Sequence, residues 1–215
     1  SIYTKSKAAA RRVGNKMYLF LKNKLRLPIN REKSGIRKPL QFELLGYRFV
    51  ASFAKDDRSK YQPVASEKSW QTLKQKLKAI TRKTTPSSFS ERMSKLKEVQ
   101  RGWLQYFCMG SLSGKLRDLD RWVRNRLRYC IWHDWKKPER RRKNLIQLGV
   151  QPGQAYAWSR TRMGGWAVAQ SPILLYTVTV KRLVKRGYES MQDYYKQIAP
   201  QLNEPLYTRP VRTVV

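Results

Sequence analysis

Between Ser113 and Trp135 the chain repeats apolar residues at Leu116, Leu119, Val123, Leu127 and Cys130, while Arg117, Arg121, Arg124 and Arg128 repeat on a neighbouring sector. At about 3.6 residues per turn, one long α-helix serves both series, with one stripe sinking into a core and the other meeting phosphate. The whole chain shares this imbalance: 47 Lys plus Arg stand against 14 Asp plus Glu, a formal charge of +33 over 215 residues. That surplus far exceeds what solubility requires and implies a polyanionic partner. With 40% hydrophobic and 12% aromatic residues, the chain can also bury a core, which excludes a disordered basic tail.

Several other chemistries are excluded or weakened. Cys108 and Cys130 form no Cys-x-x-Cys pair, which argues against a disulfide framework or a thiolate zinc site and points to a reducing, intracellular setting. His133 is the single histidine, so neither a zinc nuclease of the His/Asn type nor a His-based hydrolase can be assembled. The apolar run from Pro172 to Val180 is too short to cross a bilayer, which takes roughly 20 residues. No signal-peptide pattern opens the chain, and Ser1 in place of an initiator Met suggests a piece of something longer.

Along the chain, Val13, Met17, Phe20 or Leu21 and Leu25 recur at helical spacing with Ser6 available as N-cap, predicting an amphipathic helix over 6–25. Breakers from Pro28 to Pro39 follow, then strand-like runs at Leu44 to Val50 and Tyr61 to Val64, joined around Lys55, Asp56, Asp57 and Arg58. Three helices are predicted next. The first is capped by Ser66 and carries Trp70, Leu73, Leu77 and Ile80; the second opens on a Ser88/Glu91 capping box and carries Met93, Leu96, Trp103 and Phe107. The arginine-bearing segment is the third, folded back antiparallel through Gly110 and Gly114 into a small bundle. Beyond Trp135 the composition shifts to Lys136, Lys137, Arg140, Arg141, Arg142 and Lys143, which marks a domain boundary and a second basic patch. Shorter helices are expected after it, one opening on Ser171 and Pro172; the β-branched run Thr177 to Val180 would also suit a strand, and helix is the expectation there. The tail from Pro200 to Val215 reads as an extended strap.

From Ser113 to Lys143 there are twelve Lys or Arg and four Asp or Glu. The ladder from Arg117 to Arg128 would cover roughly 16 Å of helix, enough for several successive phosphates. A solvated face with arginine stems covering core is the competing reading, but such a face normally mixes signs. Trp103 reads as core, while at least one of Trp158 and Trp166, among Arg160, Arg162, Gly164 and Gly165, suits a surface role such as base stacking. Asp56 and Asp57 superficially match a polymerase's metal-binding aspartates. Lys55 and Arg58 flank them at a turn rather than on a rigid strand, so no catalytic residue is assigned.

The runs RGWLQYF (Arg101 to Phe107) and LDRWVRNRLRYCIW (Leu119 to Trp132) closely resemble the maturase-specific thumb, or X domain, of reverse transcriptases encoded by bacterial group II introns. LRLPINREKS (Leu25 to Ser34) and LLGYRF (Leu44 to Phe49) resemble the last palm segments of the same family. The stretch from Pro138 to Pro200, including RRRKNLIQLGV and RMGGWAVAQSPIL, is similar to the C-terminal region of members without an endonuclease. The resemblance implies that Asn30 and Lys33 lie near the template and nucleotide site, and that Leu45, Gly46 and Tyr47 form the primer-grip hairpin. It also implies that the catalytic aspartates belong upstream of Ser1, so this segment would not polymerise alone and would need no cofactor, Mg2+ being expected only in the full-length polymerase.

The expected fold is therefore α+β and mostly α: the end of a polymerase palm (1–65), a three-helix thumb or maturase domain (66–137) and a basic nucleic-acid-binding region (138–215). The expected RNA-binding residues are Arg117, Arg121, Arg124, Arg128, Lys136, Lys137, Arg140, Arg141, Arg142 and Lys143. The expected partners are group II intron RNA and target DNA or a template–primer duplex, in the cytoplasm or nucleoid of a bacterium. The rival reading is a stand-alone basic RNA-binding or ribosome-associated protein. A cationic membrane-surface protein is a poorer fit, because the basic residues lie on helices that pack.

Overall fold

The computed structural model describes residues 2, 4–30, 34–52 and 61–202, and shows an α+β protein dominated by helices. The chain divides into two compact units, 1–62 and 63–215.

The first unit opens with α1, Lys7–Leu19. Ser6 caps it as the spacing predicts, its hydroxyl accepting from the Ala9 amide at 3.2 Å. The helix runs on as a π-helical turn, Phe20–Lys24. Gly14 leaves room for Ile36, whose Cδ1 would sit 3.1 Å from a Cβ built there. A short helical turn, Pro39–Gln41, precedes β1 (Glu43–Leu44) and β2 (Tyr47–Ala51), which pair antiparallel with Glu43 opposite Arg48 and Leu44 opposite Tyr47. The continuous strand expected over 44–50 is therefore broken: Leu45 (φ 50°) and Gly46 (φ 78°) make a two-residue turn with both φ positive, the twist that suits a tight hairpin. β3 (Tyr61–Ala65) completes the order β1-β2-β3. The charged tip proposed at Lys55 to Arg58 lies outside the described residues.

The second unit is built on three long helices, as predicted. In α2, Glu67–Ile80, Ser66 Oγ accepts from Ser69 N, and Trp70, Leu73 and Leu77 are buried. In α3, Phe89–Phe107, Ser88 Oγ accepts from Glu91 N at 3.1 Å, while the Glu91 carboxylate takes Lys95. α4 spans Ser113–Asp134 and buries the whole predicted seam of Leu116, Leu119, Val123, Leu127 and Cys130. A short link joins α3 to α4, and at their far ends Arg92 reaches Cys130 Sγ, so the pair is antiparallel. Trp103 packs between Trp70 and Phe107, with ring centroids 4.6 and 4.5 Å away.

Shorter helices follow: α5 (Pro138–Gln147), α6 (Pro152–Ser159), α7 (Gly165–Gln170), α8 (Pro172–Thr177), α9 (Val180–Lys185) and α10 (Met191–Leu202). The ambiguous β-branched run is helix, interrupted: it ends α8 and starts α9, whose N-cap Thr179 accepts from Arg182 N. α7 lies against α4 at a point where only glycine fits, since a Cβ on Gly165 would come within 2.9 Å of the Tyr129 ring. α10 packs on both α3 and α4. The compositional shift at Pro138 is thus no break in packing, because 63–215 is one compact unit. The helix also runs to Leu202, so the start of the expected strap is helical.

Candidate nucleic-acid interface

The arginine ladder of α4 does not face solvent along its whole length. Arg117 and Arg121 are exposed, Arg124 is half-buried, and Arg128 is 4% exposed. The placement of Arg128 at an RNA-facing surface is therefore corrected: its Nε donates to the Val178 carbonyl at 3.0 Å and its Nη1 to Asn125 Oδ1 at 2.9 Å. The helical period places these arginines on one sector but cannot say which neighbours cover it. Here the covering element is the C-terminal end of α8, whose last carbonyls lack helical partners and attract a cation. Burial lowers the Arg128 pKa, with the nearby Arg124 charge adding to the effect.

Around the α4–α5 corner, Lys136, Lys137, Arg140 and Lys143 are exposed. Among the described residues none of these, nor Arg117 or Arg121, has an acid within ion-pairing distance. Lys136 adopts a positive φ of 35°, the bend that turns the chain from α4 into α5. The other two predicted cations here are engaged. Arg141 lies over the Trp132 ring at 4.4 Å, and desolvation lowers its pKa. Arg142 lies 3.7 Å from Glu139, whose carboxylate also takes Arg160 at 2.6 Å, and both arginines approach the Tyr156 ring. Trp166 is 37% exposed and meets Tyr129 edge-on, whereas Trp158 is half-buried.

The other predicted set belongs to the first unit. Asn30 is exposed and its carbonyl accepts from Ser34 N. Leu45, Gly46 and Tyr47 occupy the β1–β2 turn and the start of β2, with Leu45 74% exposed. Lys33 lies outside the described residues. Among the described residues no group of three His, Cys, Asp or Glu side chains could hold a metal ion, so no step is assigned to a metal here.

Sequence reasoning missed the centre that fixes α10 against α4. Asp120, on α4 and 2% exposed, accepts four hydrogen bonds: from Tyr188 Oη (2.8 Å) and Met191 N (3.0 Å) on Oδ1, and from Ser190 Oγ (2.8 Å) and Gln192 N (3.0 Å) on Oδ2. It is a carboxylate at the N-terminal end of α10, where helix charge favours it. Burial pushes the Tyr188 phenol well up, and the Asp120 charge adds to this. Arg101 grips Glu189 through two bonds of 2.8 and 2.6 Å, and Tyr195 donates to Gly110 O, so α10 is tied to α3, the link and α4 together. Its sole sequence signal was an acid inside the helix's apolar sector.

These features define a mostly helical protein whose long central helix and following corner present unpaired cations to solvent. The family model "Group II intron, maturase-specific domain" matches residues 70–149, from Trp70 of α2 to the end of α5. Residues 70–149 thus match a group II intron maturase-specific domain, which supports a maturase role in group II intron splicing. No curated protein matches the chain.

Proposed function

We propose that this chain is the RNA-gripping maturase portion of a group II intron reverse transcriptase, which binds folded intron RNA, supports its splicing and mobility, and guides template and primer in the full-length protein. The observation that carries the reading is the set of exposed cations Arg117, Arg121, Lys136, Lys137, Arg140 and Lys143 on α4 and its junction with α5, which have no acid partner among the described residues and lie within the maturase-specific match. Arg117 and Arg121 are separated by about 6 Å of helix rise, and α4 rises roughly 26 Å from Arg117 to its last residue, Asp134. Phosphate neutralisation and shape recognition are how A-form RNA is held, and the RNA itself would supply the splicing chemistry. Target DNA would be a second polyanionic partner of the same surface, in a bacterial cytoplasm or nucleoid, and Mg2+ would be needed only by the polymerase active site of the full-length protein. The maturase-specific match favours this reading over a stand-alone ribosome-associated protein.

A filter-binding titration against structured intron-like RNA, duplex DNA and unstructured RNA at several salt concentrations tests it. Preference for the structured RNA, persisting as salt rises, is expected; equal affinity for all three would leave only nonspecific polyanion binding.

A further inference from the structure

The C-terminal ends of four helices meet at one cavity. Trp135, Leu148, Val178 and Arg186 are the C-cap residues of α4, α5, α8 and α9, and all four line a space of about 250 Å³. Ile131 completes an apolar floor with Trp135, Leu148 and Val178, while Arg182 and Lys185 join Arg186 on the rim. Among the described residues no acid lines it.

We propose that this cavity takes one unstacked nucleotide of the bound RNA, the base lying against Trp135 and the adjoining phosphate held by Lys185 and Arg186. Converging helix C-termini carry partial negative charge and would by themselves repel a phosphate. Two arginines answer them at the ends of α8 and α5: Arg128 donates to Val178 O, and Arg182 donates to Thr177 O and, at 2.9 Å, to Leu148 O. That leaves Lys185 and Arg186, both exposed, as the cations free for an anion, with Arg186 also over the Phe89 ring at 5.6 Å. The space falls below the ~300–1,000 Å³ of a typical small-molecule pocket and suits a single base with its sugar. An aromatic floor beside a cationic rim is how unpaired bases are held without sequence readout, and a base stacked inside a duplex cannot enter. Lys136 and Lys137 follow Trp135 directly, so the aromatic wall of the pocket adjoins two cations of the RNA surface along the chain.

The inference rests on the RNA-binding reading, and its test separates the two. Fluorescence anisotropy with the full chain would compare two RNA hairpins, identical except that one carries a single unpaired nucleotide. The wild type should prefer the bulged hairpin by on the order of tenfold. Trp135→Ala should reduce that preference to about twofold or less, with little effect on the paired hairpin. The double variant Lys185→Gln, Arg186→Gln alters only exposed side chains, so it should remain folded; it too should weaken the bulged hairpin more than the paired one. Equal binding of both hairpins by the wild type, or a preference that survives in both variants, would overturn the pocket and leave the RNA surface standing. Binding of neither hairpin would overturn both.

Discussion

Replacing Asp120 by Asn keeps the shape of the side chain and removes the charge on which α10 is anchored. Oδ1 can still accept from Tyr188 Oη and Met191 N, but the new amide NH2 must face both Ser190 Oγ and the Gln192 amide. The serine hydroxyl can rotate to accept; the Gln192 N–H cannot, and one buried donor is left unmet at about 1–3 kcal/mol. Loss of a partly buried charge from a helix N-terminus adds up to about 2 kcal/mol. A destabilisation of about 3 kcal/mol follows, or roughly 6–12 °C in Tm for a unit of this size. Thermal unfolding by circular dichroism would measure it, and hydrogen exchange at the Met191 and Gln192 amides would show whether α10 opens first. A shift below about 1 kcal/mol, with both amides still protected, would refute the assignment of Asp120 as the anchor.

The two ends of the arginine ladder should behave oppositely. Arg117→Gln with Arg121→Gln should leave Tm within the usual surface range of about 0.5 kcal/mol while flattening the log–log salt dependence of RNA binding by roughly 1.4 to 1.8. Arg128→Gln should instead cost about 2–4 kcal/mol of stability by unfolding titration. Glu189 gives a pH test. The hydrogen bond from Arg101, with its charge, holds the Glu189 carboxyl below its ordinary value against the opposing effect of burial. The pair's stabilisation is therefore full above the unfolded pKa and is lost as pH falls through the lowered folded value. The Tm deficit of Arg101→Gln should be present at about pH 6–7 and shrink below about pH 4.

Periodicity and capping chemistry made the second unit legible. Ser66 and Ser88 cap as their positions foretell, and every residue of the α4 seam is buried. What escaped was decided by distant partners. Nothing near Asp120 in sequence reveals that Tyr188, Ser190, Met191 and Gln192 will surround it. Arg128 sits on the same helical sector as Arg117, yet the end of α8 covers one and not the other. The Leu45–Gly46 turn was obscured because leucine reads as a strand residue, although Leu45 holds a left-handed φ of 50° that its side chain disfavours. Within the candidate site, the exposed cations at the α4–α5 corner could be read from composition, whereas the engagement of Arg141 by Trp132 and of Arg142 by Glu139 could not.

The charge surplus also has a structural use that bears on how it should be counted. Helices as short as α8 and α9, six residues each, leave four carbonyls at the C-terminal end without helical partners. Arg126 donates to Lys78 O and Thr81 O at the end of α2, Arg128 to Val178 O, and Arg182 to Thr177 O and Leu148 O. At Arg182 a guanidinium suits this work because Nη1 and Nη2 of its planar fork reach two carbonyls at once, which a single ammonium on a flexible stem does poorly. Arg182→Lys should therefore lose one of its two bonds and cost about 1–3 kcal/mol despite unchanged net charge, whereas Arg121→Lys should be neutral for stability. Chemical denaturation of the two variants side by side decides the matter: equal midpoints would mean that charge alone, and not the fork, closes these helix ends.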